Sequence, residues 1–237
     1  MSYGFPATAS VSPGAGPVPQ VSFQQPTNLF RFGEQTIWST QLYQGGAGGA
    51  AIANTTNRIF TTPQGQQGQG FARALSIAET NLKQGGQVPA GIAYDVFGIA
   101  TEVALLSNAN DAAGGNFSIP IDTQAQIAPL LNVVHTTIIQ WDFTQTQIDV
   151  CPVLLAGAGG GAFGAVSQNA AGANSGHMNN GNGNIWMYQK HPVALPGQTT
   201  FAIQLRVGSR AANVTAATSI STRVVLLGYY KNVIEIG

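Results

Sequence analysis

Period-two alternation, interrupted every few residues by glycine or proline, constrains this chain more than any other feature. In Thr36–Tyr43, the residues Ile37, Ser39 and Gln41 alternate with Trp38, Thr40 and Leu42, which marks a strand with two unlike faces. Short strand signals of this kind recur at Asn28–Phe32, Arg58–Thr62, Asn116–Ile121, Asn184–Lys190, Thr199–Val207 and Thr222–Ile236. Ile92–Leu106 is the longest such segment, and its alternation breaks phase near Gly98, which predicts a β-bulge there. Val133–Phe143 and Gln147–Leu155 are rich in Val and Ile and are separated only by Thr144–Thr146, so they should form a hairpin. Helix has little room. Ala72, Leu75, Ala78 and Leu82 would share a helical face, but Gly85, Gly86 and Pro89 stop that segment early, leaving a short helix or strand. Thr123–Asn132 fits a helical turn or two. Roughly nine or ten strands with almost no long helix predict an all-β sandwich or barrel.

Two segments fall outside this pattern. Residues 1–27 contain Pro6, Pro13, Pro17, Pro19 and Pro26 and show neither period, so they should form an extended N-terminal arm, free or draped over a neighbour. Residues 156–184 are Gly, Ala, Asn and Ser with almost no apolar anchor. Ordinary connections run roughly two to six residues, and one this long is usually functional or disordered. It is expected to be a surface excursion that orders against a neighbouring copy. The remainder, 28–237, is expected to be one domain carrying that excursion.

The surface such a chain can present is unusual. Charged residues make up 8% of it, against about a quarter in a typical soluble domain. Amides and hydroxyls can be buried against another subunit far more cheaply than charges can. The composition therefore suits a surface largely covered by neighbours, and it also suits a weakly charged secreted β protein. Residues 1–149 hold eight acids and four bases, a net −4; residues 150–237 hold five bases and one acid, a net +4. The gradient is either chance or head-to-tail complementarity between subunits. The first basic residue is Arg31, so a basic arm that would condense nucleic acid by counterion release is missing. The N-terminus has neither the charged nor the apolar region of a signal peptide, no apolar run approaches the ~20 residues of a membrane helix, and synthesis in a cytoplasm is expected. Cys151, the lone cysteine, sits in the apolar run Val150–Leu155 and reads as a small core hydrophobe.

No motif assembles into a site. Gly159–Gly164 matches G-x-G-x-x-G after an apolar strand, but no acid follows until Glu235, so a dinucleotide cofactor is not expected. His135, His177 and His191 lie in three separate segments without zinc spacing, and His135 reads as a strand residue. Asp142 and Asp149 flank the proposed hairpin. Trp38, Trp141 and Trp186 fall in different strands, as core aromatics or as the stacking floor of a sugar cleft. Arg206 and Arg210 are the closest basic pair, with no aromatic interleaving, so sequence-specific nucleic-acid binding is not expected. The expectation is no enzyme: no catalytic, cofactor-binding or metal-binding residues.

The segments VPAGIAYDVFGIATEVAL, VALPGQTTFAIQLRV and TRVVLLGYYKNVIEI, behind a proline-rich arm and Gln-rich short strands, resemble the jelly-roll major capsid proteins of icosahedral viruses. The likeness is nearest to those of bacterial and archaeal viruses with an internal membrane. It rests on Pro196, Gly197 and Phe201 leading into a late strand and on the long apolar final strand Val224–Tyr230, and it covers residues 28–237. The resemblance implies a homo-oligomeric capsomer that self-assembles into a shell in the virion, with minor capsid proteins and an internal membrane as further partners. The strand count favours a single jelly roll; in a double roll the boundary would fall near residues 143–147. The competing class is a carbohydrate-binding β-sandwich module or a phage fibre or baseplate domain.

Overall fold

Four nested antiparallel pairs organise the chain. In the computed structural model, the described residues are 28–45, 49–107, 124–143, 146–158, 164–167, 175–178, 183–188, 190–210, 213–214 and 218–235. Strand β1 (Asn28–Gln44) pairs with β11 (Thr218–Glu235), and β2 (Thr56–Ile59) with β10 (Phe201–Arg206). Inside these, β3 (Ile92–Ser107) pairs with both β8 (Trp186–Met187) and β9 (Val193–Leu195). Innermost, β4 (Ile138–Phe143) pairs with β5 (Thr146–Pro152), the hairpin expected from sequence. Two further pairings, β11 with β3 and β10 with β4, gather the nested pairs into two sheets. Sheet 1 runs β1-β11-β3-β8 with β9 also on β3; sheet 2 runs β2-β10-β4-β5. A small separate hairpin joins β6 (Gly164–Ser167) and β7 (Ser175–Met178).

The sheets face each other across one core, so the protein is an all-β sandwich. Val96, Ile99, Val103, Val224 and Leu226 from sheet 1 meet Ile59, Ile139, Trp141, Ile203 and Leu205 from sheet 2. All are at most 2% exposed. Each such side chain contributes about 1.5–3 kcal/mol by leaving water. The bulge predicted near Gly98 is present. Leu227 pairs with Gly98 but Gly228 pairs with Val96, so Phe97 is the extra residue. The neighbourhood requires glycine, since a Cβ at Gly228 would lie 2.5 Å from the Tyr94 ring. That ring is pinned by its hydroxyl, which reaches the carbonyl oxygens of Gln35 and Leu226.

Three expectations need correction. Val133–Thr136 is not strand. Helix α1 (Gln124–Thr136) continues through it, because Leu130, Val133 and Val134 fall at helical spacing and are all buried, while His135 is exposed. A short apolar run fits both periods, and here the period of 3.6 wins. Asn28–Phe32 and Thr36–Tyr43 are one 17-residue strand. Phe71–Leu82 is neither helix nor strand but a series of turns and isolated bridges. The arm 1–27, Asn116–Ile121 and most of 156–184 lie outside the described residues.

The irregular segment has a definite task. Phe71 and Leu75 form a second apolar cluster with Leu42 and Leu106 on the outer face of sheet 1. Its side chains also close the exposed edge of β1. Trp38 N–H donates to Asn81 Oδ1 at 3.0 Å, Asn81 Nδ2 donates to the Thr36 carbonyl at 2.8 Å, and Thr40 Oγ1 donates to the Glu79 carbonyl at 2.9 Å. Glu79 locks the segment's own shape. Only 2% exposed, it accepts from Arg73 Nη2 (3.0 Å), Ser76 N–H (2.7 Å) and Ser76 Oγ (2.6 Å).

Burial pushes the Glu79 pKa up, but the hydrogen bonds from Arg73 and Ser76 and the Arg73 charge outweigh it and hold the carboxyl below its ordinary value. A lowered pKa adds stability above the ordinary carboxylate range and loses it as pH falls. Glu79→Gln should therefore cost about 1–3 kcal/mol at pH 7. The variant should lose less further stability than the parent between about pH 5 and pH 3, measured by denaturant titration at each pH.

Candidate functional site

The sandwich is open along one side. There β5, the edge of sheet 2, faces β8 and β9 at the edge of sheet 1, and between them runs a groove of about 910 Å³. Its floor is Trp141 and Phe143, two residues apart on β4, so both point the same way. Their rings stack with centroids 5.5 Å apart and planes 11° from parallel. Trp141 Nε1 donates to the Tyr188 hydroxyl at 2.8 Å, which ties the two sheets together across the groove. Burial raises the Tyr188 pKa, with the bond from Trp141 opposing and Cys151 adding to the rise.

The lining is apolar and in part exposed. Ile148 is 49% exposed, Ile185 42% and Met187 46%. Ile148 is exposed because β5 pairs on one side only among the described strands, and a bulge at Val150 bends it. Met187 lies flat against β3 because its partner there is Gly98; a Cβ on that glycine would come within 3.0 Å of Met187 Sδ. Lys190 and His191, both exposed, stand at the rim with Asp149. Asp149 is already engaged, accepting from Gln140 Nε2 at 2.7 Å and pairing with Arg206 Nη1 at 3.4 Å.

The other residues singled out in the sequence do not converge here. Trp38 projects from the outer face of sheet 1, donating Nε1 to the Ile77 carbonyl at 3.0 Å. Asp142 forms an ion pair with Arg58 at 2.7 Å. His135 closes α1, and His177 is in β7, far along the chain from the rim residue His191. Among the described residues, no three His, Cys, Asp or Glu side chains gather as metal donors. Gly159–Phe163 lies outside the described residues, and Gly164 opens a strand where a dinucleotide site needs a helix. Arg210 is exposed in a turn. Cys151 is 4% exposed, the core hydrophobe expected, and burial lifts its thiol to about 11.

Sequence reading found Trp141 and Trp186 but missed Tyr188, Met187 and Ile148. Alternation marks which face a residue occupies; it carries no sign that a strand will lie at an edge. A scan against protein-family models and a search of curated proteins found no match to this chain. Among the described residues, no helix is long and apolar enough to cross a membrane.

Tyr188→Phe should leave the Trp141 indole N–H buried without an acceptor and cost about 1–3 kcal/mol in denaturant unfolding. Cys151 should react with a thiol reagent at pH 8 only at the rate of unfolding, and at once in denaturant, because the native site buries and protonates it.

Proposed function

We propose that this chain is a structural subunit that assembles with copies of itself into a virus shell. Its sandwich is read as a single jelly roll. The nesting of β1–β11, β2–β10, β3–β8/β9 and β4–β5 is that of one long antiparallel ribbon, and rolling it sends alternate pairs to opposite sheets. Such nesting supports the jelly-roll reading, the double-sheet architecture used by viral capsid and lectin domains and by cupins. The eight strand positions use the span from Asn28 to Glu235, which favours one roll over two.

The observation that carries the assembly reading is the distribution of charge on this frame. Antiparallel wiring sets the ends of β1, β3 and β10 and the starts of β2, β4 and β11 at the same end of the sandwich, since Gln44 pairs with Ser219, Ser107 with Thr218, and Arg206 with Thr56 and Ile138. In sequence, the segments 45–55, 108–137, 153–185 and 207–217 that leave or enter strands carry only three Asp, Glu, Lys or Arg residues, Asp111, Asp122 and Arg210. Elsewhere Arg58, Arg73, Arg206 and Arg223 are paired within the subunit to Asp142, Glu79, Asp149 and Glu102. A surface with so few charges is poorly suited to keeping a monomer dispersed and well suited to close packing against copies.

The second reading, a sugar-binding sandwich, draws on Trp186 at the groove. It is weakened by Trp141, which at 1% exposure has no face left for stacking on a ligand. Size-exclusion chromatography with light scattering, followed by negative-stain microscopy across salt and pH, tests the choice. Rings, capsomers or closed shells are expected. A stable monomer at high concentration, with tryptophan emission quenched by glycans, would put the sugar-binding reading first.

A further inference from the structure

The groove and the start of β1 lie on opposite flanks of the sandwich. Asn28 opens β1, the outermost strand of sheet 1, whereas the groove opens beyond β8 and β5 at the other edge. Three strand spacings of about 4.8 Å separate the two flanks. Twenty-seven residues precede Asn28, enough for roughly 80 Å at the ~3.1 Å per residue of a polyproline helix.

The chemistries match. The half-buried rings of Phe143, Trp186 and Tyr188, rather than the covered Trp141, line the groove, and such a lining suits a proline-rich segment, whose restricted backbone loses little entropy on binding and whose carbonyls have no internal partners. Residues 1–27 hold five prolines, the apolar side chains Tyr3, Phe5, Val11, Val18, Val21 and Phe23, and no Asp, Glu, Lys or Arg. No side-chain ion would need to be stripped of water as they enter. Ile148 offers an apolar wall, Ile185 and Met187 form an apolar lip beside Leu227 on the outer face of sheet 1, and Lys190 at the rim is a donor for bare carbonyls. Exposed apolar walls of this kind mark a binding surface.

We propose that residues 1–27 of a neighbouring copy fill the groove between β5 and β8. This rests on the assembly reading above and specifies the contact. Donor and acceptor lie on different flanks of one subunit, so the contact is head-to-tail. Such contacts close into rings when the rotation between copies permits. An arm reaching its own groove would instead have to double back across the width of the sheet.

The test uses the full chain with p-benzoylphenylalanine placed at Met187, mixed in equal parts with heavy-isotope copies, irradiated, and mapped by mass spectrometry. Crosslinks from position 187 to peptides within residues 1–27 are expected, about half of them joining light to heavy copies. Crosslinks that join only like-labelled chains at every dilution would place the arm in its own groove and overturn the proposal. Crosslinks that avoid 1–27 would overturn it too. Met187→Glu, a change at an exposed position, should abolish the crosslinked contact and shift the light-scattering mass toward monomer by at least tenfold in concentration. Ile185→Asp repeats this from the neighbouring wall position, and circular dichroism confirms that each variant is folded. If the wild-type chain assembles and both folded variants assemble equally well, the groove contact is wrong while the shell reading stands. If the wild-type chain never assembles, the shell reading itself fails.

Discussion

Everything in this sandwich depends on the last strand arriving in the middle. β11 is hydrogen-bonded to β1 along 17 residues on one side and to β3 along most of its length on the other. Without it, the first strand and the third have no connection, and sheet 1 does not exist. The sequence nearest the C-terminus therefore completes the hydrogen bonding of the sequence nearest the start of the domain. Such long-range pairing must bear the entropy of closing a very large loop before any of its bonds form. The chain offsets this with uninterrupted pairing over the whole strand. It accepts one irregularity, at Phe97 and Gly228, where the Tyr94 ring occupies the space a side chain would need.

A chain with few charges must satisfy its buried polar groups by other means. Ser39, Thr40, Thr80, Thr101, Gln41, Gln140 and Gln204 are all less than 9% exposed. Most of the bonds they make are to backbone: Thr40 to the Glu79 carbonyl, Thr80 to Trp38, Thr101 to Val153, Gln41 to Leu42. Hydroxyls and amides here act as mortar between strands and the irregular segment that covers them. A buried hydrogen bond of this type contributes about 1 kcal/mol and exacts no ionic desolvation. The buried carboxylates come with partners: Asp142 with Arg58, and Glu79 with Arg73 and two donors of Ser76, its N–H and its hydroxyl. The low charge that stands out in the composition is thus the same feature as the hydroxyl-rich interior.

Much of the fold was legible in the residues, for reasons that also explain what was not. Alternation in Thr36–Tyr43 and the Val/Ile runs around Thr144 report local burial, and local burial is what a strand's two faces express. The bulge was legible because Gly98 interrupts that period. Val133–Thr136 misled because two valines followed by polar residues satisfy a strand and a helix alike; only the position of Leu130, three and four residues earlier, chooses between them. Phe71–Leu82 has helical spacing, yet its apolar residues serve the outer face of sheet 1, and its backbone is spent on the edge of β1. The groove was beyond reach of any local pattern. Trp141 and Tyr188 are 47 residues apart, and their bond exists only because two sheets end at the same place.

The two edges flanking the sandwich are treated differently, and that difference gives the molecule a direction. An exposed strand edge invites pairing with another chain. Along β1, Gln69, Thr80 and Asn81 answer the backbone with their own groups and the Glu79 carbonyl takes the Thr40 hydroxyl, so that edge is closed by the chain itself. Along β5 the chain supplies no comparable cover among the described residues. It relies on a bulge at Val150, the terminating Pro152 and the charge of Asp149, devices that discourage a further strand but leave apolar walls in water. Blocking strand addition while keeping Ile148 and Met187 exposed makes little sense for an isolated molecule. It is consistent with a partner that enters by its side chains, and a proline-rich segment, which cannot extend a sheet, is a partner of that kind.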